Sequence, residues 1–468
     1  MDPLSPLDAL FLHTEDGITH MHIGSCAIFA GPSPSITEIT ALIESKLPVL
    51  ARYRQKVRFV PGHLGHPVWV DDPTFDLAYH VRHTALPPPG DVDELEHLMG
   101  RLMSHELDRG RPLWEAWIVE GLSGGRWALI SKVHHCMVDG VSGTDMMAAL
   151  LDADPAARPQ PALPWRPRRT PSDMELAADA VVRMVATPAR RVLAMSKGGV
   201  HLGRVQRDVS ELAAGMRSLG AGLARPAAHL SVEGLIGPHR RWSAGRCRLG
   251  DIKAIRAAFG GSVNDVVMAA VTGAFRDIVI RRGESVDGVV MRSLVPVSVR
   301  RPDDHTANNQ VALMVAELPL GIADPVERLH AIRAEMLALK GSHQPTAAGA
   351  IVAAAELVPP ALLALGARTL MTVLRRLPQG AVHTVTTNVP GPQQPLFALG
   401  REMLEYLPFV PVSEGVRIGV AIMSYNGAVS FGVTGDYDTA PDVHLMSARI
   451  ERHIELLLDA AQRVSAAS

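Results

Sequence analysis

Lys132-Val133-His134-His135-Cys136-Met137-Val138-Asp139-Gly140 is the stretch on which the reading of the whole chain turns. Behind it stands Trp127-Ala128-Leu129-Ile130-Ser131-Lys132-Val133, an apolar, partly β-branched run of strand length that delivers two histidines to a strand end. Ahead of it, Asp139-Gly140 turns the chain. Ser142 and Asp145 then stand at capping-box spacing before the apolar stretch Met146 to Leu151. The expected unit is strand, histidine loop, helix. Side chains alternate across a strand, so His134 and His135 should face opposite ways unless the ladder has ended, and only one of them should act as a base.

Working outward, the N-terminal stretch 1–154 mixes strand-like runs (His22–Phe29, Trp114–Val119, Trp127–Val133) with helices at Ile36–Leu47 and Val92–Leu107, an α/β pattern. Residues 155–241 begin as a linker dense in Pro and Arg, then become a basic helical crossover. Between Ala180 and Arg207 there are six Lys or Arg and no Asp or Glu, interleaved with apolar residues, a pattern suited to an anionic membrane surface or to a solvated helical face. Residues 242–468 form a second lobe. Ser262 and Asp265 cap a helix through Phe275, strands are expected at Val289–Val299, Val311–Leu318 and His383–Thr387, and Asn426-Gly427 joins Val416–Ser424 to Val429–Asp436 as a type I′ hairpin. Arg449–Ala461 closes the chain as an amphipathic helix.

Composition removes several classes of function. With 468 residues and 47% hydrophobic content, the chain can bury two cores of ordinary size. A net charge of -2 and 4% aromatic residues offer neither pull nor stacking platforms for nucleic acid. Three scattered cysteines make no disulfide framework, and no secretory leader is evident, so the cytoplasm is the expected compartment. The most apolar segment, Ala347 to Val373, is broken by Glu356, Pro359-Pro360 and Arg368, which leaves a surface-lying or tunnel-lining segment, or two ordinary helices, rather than a membrane span.

A hydroxyl proton does not leave unaided at neutral pH, so an enzyme that acylates alcohols needs a base poised near pH 7, the natural task of histidine. His135 suffices for direct alcoholysis of a thioester, whose thiolate leaves readily, and no G-x-S-x-G elbow supplies a serine nucleophile. Asp139 is read as holding the loop, with Arg300 or Arg301 as its partner, more than as a proton relay. Asn264, at a helix N-terminus, is a candidate donor to oxyanion charge or to substrate, and Asp265 is read as a cap. Metal ligation is not expected, because adjacent strand histidines diverge and no further ligand is suitably spaced. Cys136 reads as a small buried apolar residue.

These motifs resemble the bacterial wax ester synthase/diacylglycerol acyltransferase family of the chloramphenicol acetyltransferase-like superfamily. Besides His134-His135-x-x-x-Asp139-Gly140, the resemblance rests on Leu4-Ser5-Pro6-Leu7-Asp8, Pro112-Leu113-Trp114-Glu115, Asn264-Asp265 and Thr387-Asn388-Val389-Pro390-Gly391-Pro392. It implies an α/β fold of two lobes, each a mixed sheet with covering helices, and an active-site tunnel at their interface. It implies His135 as general base and His134 as support, with Asn264 and Asp265 tied to activity and Gly140, Pro112, Leu113, Trp114, Asn388, Pro390 and Gly391 supporting the motifs. The implied reaction makes triacylglycerol from diacylglycerol and long-chain acyl-CoA, a co-substrate with no cofactor besides, and secondarily wax esters from fatty alcohols. Peripheral association with the inner face of the membrane or with lipid inclusions is implied too. Two other functions fit the same motifs: a condensation-type acyltransferase using carrier-bound thioesters, and a lipid-binding or lipid-droplet protein without turnover.

Overall fold

The computed structural model describes residues 1–137, 146–161, 164–184, 228–298, 311–341, 360–366 and 382–467. Asp139, Gly140, Arg300 and Arg301, most of Ala180–Arg207 and most of Ala347–Val373 lie outside them.

A short three-stranded sheet of β1 (Asp2–Pro3), β3 (Gln55–Arg58) and β4 (Val68–Asp71) flanks the first lobe. The first large sheet contains β2 (His22–Phe29), β5 (Val81–Ala85), β6 (Trp114–Leu122) and β7 (Arg126–His134). β2 and β7 pair antiparallel with His22 opposite His134, and β6 flanks β7 with Trp114 opposite Val133. The expected strand 127–133 is therefore real and gains one residue at each end. Four helices cover or flank this lobe: α1 (Pro6–Thr14), α2 (Ile36–Lys46), the single turn α3 (Leu77–His80) and α4 (Val92–Met103). Ser35 and Glu38 cap α2 reciprocally, which fixes its start where the sequence placed it.

β7 lies between two apolar layers because its side chains alternate. Trp127 and Leu129 face the cluster that holds Phe29 and Trp114, whereas Ala128 and Ile130 face Leu95, Leu98 and Met99 of α4. Trp127 stacks on Phe29 at 4.4 Å, and the buried indole of Trp114 donates to Tyr53 O at 2.8 Å. Full burial of such side chains contributes about 1.5–3 kcal/mol each.

The second large sheet contains β8 (Arg240–Arg248), β9 (Val290–Ser298), β10 (Val311–Pro319), β11 (Thr384–Pro390), β14 (Ile418–Tyr425) and β15 (Ala428–Asp436). β11 runs parallel to β9 and β14, so this sheet is mixed as well. Asn426 and Gly427 join β14 to β15 with φ of 44° and 81°, the left-handed pair a type I′ turn demands. The helix Val263–Arg281 is buried along most of its length, and the closing helix Val443–Ala467 packs with it. It extends six residues beyond the expected Phe275 because no breaker intervenes before Arg282-Gly283.

Chain order and lobe membership part company in one place. β12 (Phe397–Ala398) and β13 (Arg401–Phe409) fall within the stretch 242–468, yet they extend the first sheet, β13 pairing antiparallel with β2. β13 also packs closely on the second sheet. Trp242 Nε1 donates to Pro408 O at 3.1 Å, and a Cβ on Gly432 would sit 1.7 Å from that same oxygen, so only glycine fits there. The linker is likewise laid onto the first lobe rather than free. Arg168 holds Asp71 at 3.1 Å, and Leu176 and Ala180 are buried with Val60, Val68 and Val70.

Candidate active site

The site begins where β7 ends. His134 is the last strand residue and its N–H donates to Leu113 O at 2.9 Å, so the Pro112-Leu113-Trp114 motif is the neighbouring strand edge that fixes the first histidine. All three residues of that motif are buried. The chain then tightens into a 3₁₀ turn, His135–Met137, and the ladder stops before His135. The alternation rule is thus released at the residue where it would have mattered, and His135 is held by its N–H donating to Met21 O at 2.8 Å.

The two imidazoles have different partners. Cys136 N–H donates to His134 Nδ1 at 3.1 Å, which makes Nδ1 the acceptor and leaves the proton of the neutral ring on Nε2. That Nε2 lies 3.4 Å from Glu15 Oε2, an electrostatic contact at the long end of hydrogen-bond range. Glu15, the C-cap of α1, also accepts from Met21 N–H at 3.0 Å and from Arg109 at 2.8 Å. Burial works to raise the Glu15 pKa, but His134, Arg109 and the Met21 N–H outweigh it and hold the carboxyl down at about 2. One buried carboxylate therefore touches His134 and the residue whose carbonyl holds His135.

The His135 ring stacks on Phe11 of α1, centroids 4.1 Å apart. Ser5 caps that helix and Asp8 answers it, so the Leu4-Ser5-Pro6-Leu7-Asp8 segment builds the element that carries both Phe11 and Glu15. Nδ1 of His135 is buried and finds no partner on another described residue. Burial pushes the ring's pKa down to about 4, with His134 adding to the effect. The expectation of a base poised near pH 7 is corrected here. The ring is a weaker base, wholly in its accepting form at neutral pH, because the protein around it disfavours charge.

Beside this pair, β2 and β7 present further titratable groups to α4. Lys132 is buried, its ammonium donating to Leu102 O at 2.9 Å and to His105 O, and burial lowers its pKa to about 8. His22 Nε2 meets Met103 O at 3.0 Å, and burial holds its pKa well below the usual value. Together they satisfy the carbonyls at the end of α4 and tie that helix to the strands bearing the histidines.

The second lobe contributes a separate pair. Asn388 of β11 donates to Asn264 Oδ1 at 3.0 Å, joining two motifs 124 residues apart. With its oxygen so engaged, Asn264 has amide N–H groups that find no acceptor among the described residues. Asp265 closes a reciprocal cap with Ser262, as expected. Pro390 ends β11, and Gly391 N–H donates to Ser424 Oγ at 3.2 Å, seating the turn on β14. Among the described residues, no hydrogen bond links the Asn264–Asn388 pair to either motif histidine. Cys136 is buried and its thiol pushed well above its ordinary range, first by burial, so it is no nucleophile at neutral pH. Among the described residues no cluster of His, Cys, Asp or Glu could hold a metal ion. Glu15, Phe11, Arg109 and Lys132 were not singled out from sequence. The signal available was the Ser5/Asp8 cap, which marks a helix but does not say which strand end it faces.

Residues 4–267 match the wax ester synthase/diacylglycerol acyltransferase catalytic domain, and residues 307–458 match the WS/DGAT C-terminal domain. The chain belongs to this family. A probable diacylglycerol O-acyltransferase, tgs1, of Mycobacterium tuberculosis is 36% identical over 471 residues, covering 99% of this chain and 97% of that protein. The wax ester synthase/diacylglycerol acyltransferase of Marinobacter aquaeolei VT8 superposes with a TM-score of 0.68 at 27% identity, over 98% of this chain and 100% of that one. The first condensation domain of the CDA synthetase gives 0.54 at 16% identity over 98% and 97%, which is likeness of fold alone. The protein is an acyltransferase with the two-lobed architecture of the chloramphenicol acetyltransferase-like class.

Proposed function

We propose that the protein transfers a long fatty acyl chain from acyl-CoA to the free hydroxyl of diacylglycerol, and secondarily to fatty alcohols, with His135 as general base. The observation that carries this reading is the His135 ring itself: buried at the strand end, braced by Phe11, and held in its neutral form by that burial. His135 Nε2 takes the acceptor's hydroxyl proton as its oxygen bonds to the thioester carbon. The tetrahedral intermediate then expels the CoA thiolate, which receives that proton from the imidazolium. No enzyme-bound acyl group forms, and the base contributes about 10²–10⁴-fold. An amide donor such as Asn264 stabilises developing oxyanion charge. The two substrates meet in a tunnel at the lobe interface.

The test is CoA release from palmitoyl-CoA by the wild type and by His135→Ala, with diacylglycerol, hexadecanol or no acceptor, followed by analysis of the lipid product. Acceptor-dependent release that disappears in a folded His135→Ala protein is the expected result, with diacylglycerol the better acceptor. Release without any acceptor dependence would overturn the reading.

The same reading includes peripheral binding to a membrane or lipid inclusion. Val181, Val182 and Met184 are exposed at 48%, 63% and 49%, leading into the basic stretch, and among the described residues no helix is long and apolar enough to cross a bilayer. Flotation with anionic liposomes should be lost when Arg190, Arg191 and Lys197 are changed to Glu; unchanged flotation would remove this part.

A further inference from the structure

Between the lobes lies a recess of about 730 Å³, bounded by α4, the start of β8 and the segment from Tyr437 to His444. Its size falls within the roughly 300–1,000 Å³ range of small-molecule sites. Apolar atoms make up much of its surface, but most of the side chains that line it are charged or hydrogen-bonding, among them Arg101, Arg241 and three histidines. We propose that this recess binds the phosphate-bearing nucleotide end of the acyl donor, through Arg101 and Arg241 with Tyr437 as a platform for the base. The proposal rests on the acyl-CoA reading above and gives it a place.

Arg101 reaches the recess from the last turn of α4 and has no carboxylate partner among the described residues. Arg241 is pre-positioned by Tyr437: its Nε donates to Tyr437 O at 2.7 Å and its guanidinium lies 4.0 Å over the ring. It too has no carboxylate partner among the described residues. Guanidinium groups match phosphate oxygens by paired hydrogen bonds, and a guanidinium held in place loses little freedom on binding. Tyr437 is 46% exposed with His239 at its edge, so an aromatic surface for a purine sits beside the cations. His97, His239 and His444 add imidazole donors to the same lining.

Two carboxylates also line the recess, and neither cancels this field. Glu96 is engaged by Ser243 Oγ at 3.1 Å and Ala244 N–H at 2.8 Å, and burial raises its pKa, which disfavours its charge. Asp93 lies in the first turn of α4, where the helix N-terminus offsets its charge. Arg240 faces inward and is consumed by the carbonyls of Gly237, His239 and Ile18, so it belongs to the wall and not to the ligand.

The wall is what relates the recess to the chemistry. Arg240 N–H donates to Ser104 Oγ at 2.8 Å, the adjacent Met103 carbonyl meets His22, and His22 stands opposite His134 in the sheet. A nucleotide held by Arg101 and Arg241 is thus one wall away from the strand end that carries His135.

The experiment compares full-length wild type with the Arg101→Glu/Arg241→Glu and Arg101→Gln/Arg241→Gln double variants, their folding checked by thermal melts. CoA and 3′-dephospho-CoA binding is measured by calorimetry, and KM for palmitoyl-CoA by CoA release. The expected result is a CoA Kd and a palmitoyl-CoA KM raised by about tenfold or more in the Glu variant and less in the Gln variant, with a smaller preference for CoA over its dephospho form. Values within twofold of wild type in folded variants would overturn the proposal. So would variants that lose anionic-vesicle binding while CoA binding is retained. CoA binding that responds to the arginines in a protein without acyl transfer would uphold the recess and sink the acyltransfer mechanism; transfer indifferent to the arginines would do the reverse.

Discussion

At the residue scale, the proposed chemistry depends on keeping one imidazole neutral and still. His135 must be unprotonated to accept a proton, and burial puts its pKa near 4 where a free histidine titrates near 6.5. The acid limb of kcat/KM should therefore fall near pH 4, with activity sustained between pH 5 and 7; a limb near 6.5 would show an exposed ring instead. Stillness is the task we assign to Glu15, whose carboxylate contacts His134, the Met21 N–H and Arg109. We call it a positioning residue. Glu15→Gln keeps the shape and removes the charge that orders these groups, and small misplacements of a reacting group cost up to about 10²-fold. The expected outcome is a fall in kcat of about 10–100-fold, with little change in the KM for palmitoyl-CoA and with the acid limb still near pH 4. A rise in KM at unchanged kcat would assign Glu15 to substrate binding.

At the scale of elements, what the sequence made legible and what it hid have separate physical causes. β2 and β7 could be read because both faces of each strand are buried, and buried strands declare themselves as apolar runs bounded by turn residues. The Val263–Arg281 helix and the Asn426-Gly427 turn were equally plain, since a cap and a left-handed dipeptide are local signals. Glu15 was hidden because its partner His134 is 119 positions away, and nothing in a lone glutamate near a helix end says which strand it will face. The home of β13 was hidden for the same reason: its pattern satisfies either sheet, and only packing at Pro408 and Gly432 decides. The resemblance marked Gly391 as part of a motif without saying why glycine stands there. The structure supplies the reason, because a Cβ at this position would lie 2.2 Å from the Ser424 backbone oxygen. Gly391→Ala must push β11 from β14, at a cost of about 1–3 kcal/mol, the range for overpacking. A lower urea midpoint at unchanged m-value should report it, and an unchanged midpoint would show that the turn yields freely.

For the whole molecule, β13 makes the two lobes a single folding problem. It is connected through residues of the second lobe, it completes the first sheet beside β2, and its Pro408 carbonyl receives Trp242 from β8. Removing everything after the crossover would leave β2 as an edge strand with unpaired N–H and C=O groups. It would also expose the faces of Cys26, Ile28, Leu95 and Leu98 that now share a cluster with Trp242, Leu407 and Phe409. The fragment 1–241 should therefore fail to fold alone, appearing as aggregate or as a species with broad, non-cooperative melting. Co-expression of 1–241 with 242–468 should restore a soluble complex, because the missing strand then returns in trans. The intact chain should melt in one transition, with tryptophan fluorescence, which samples Trp114 and Trp127 in one lobe and Trp242 in the other, coinciding with far-UV dichroism. Two resolved transitions, or a stable soluble 1–241 fragment, would mean that the shared strand is dispensable and that each lobe closes its own core.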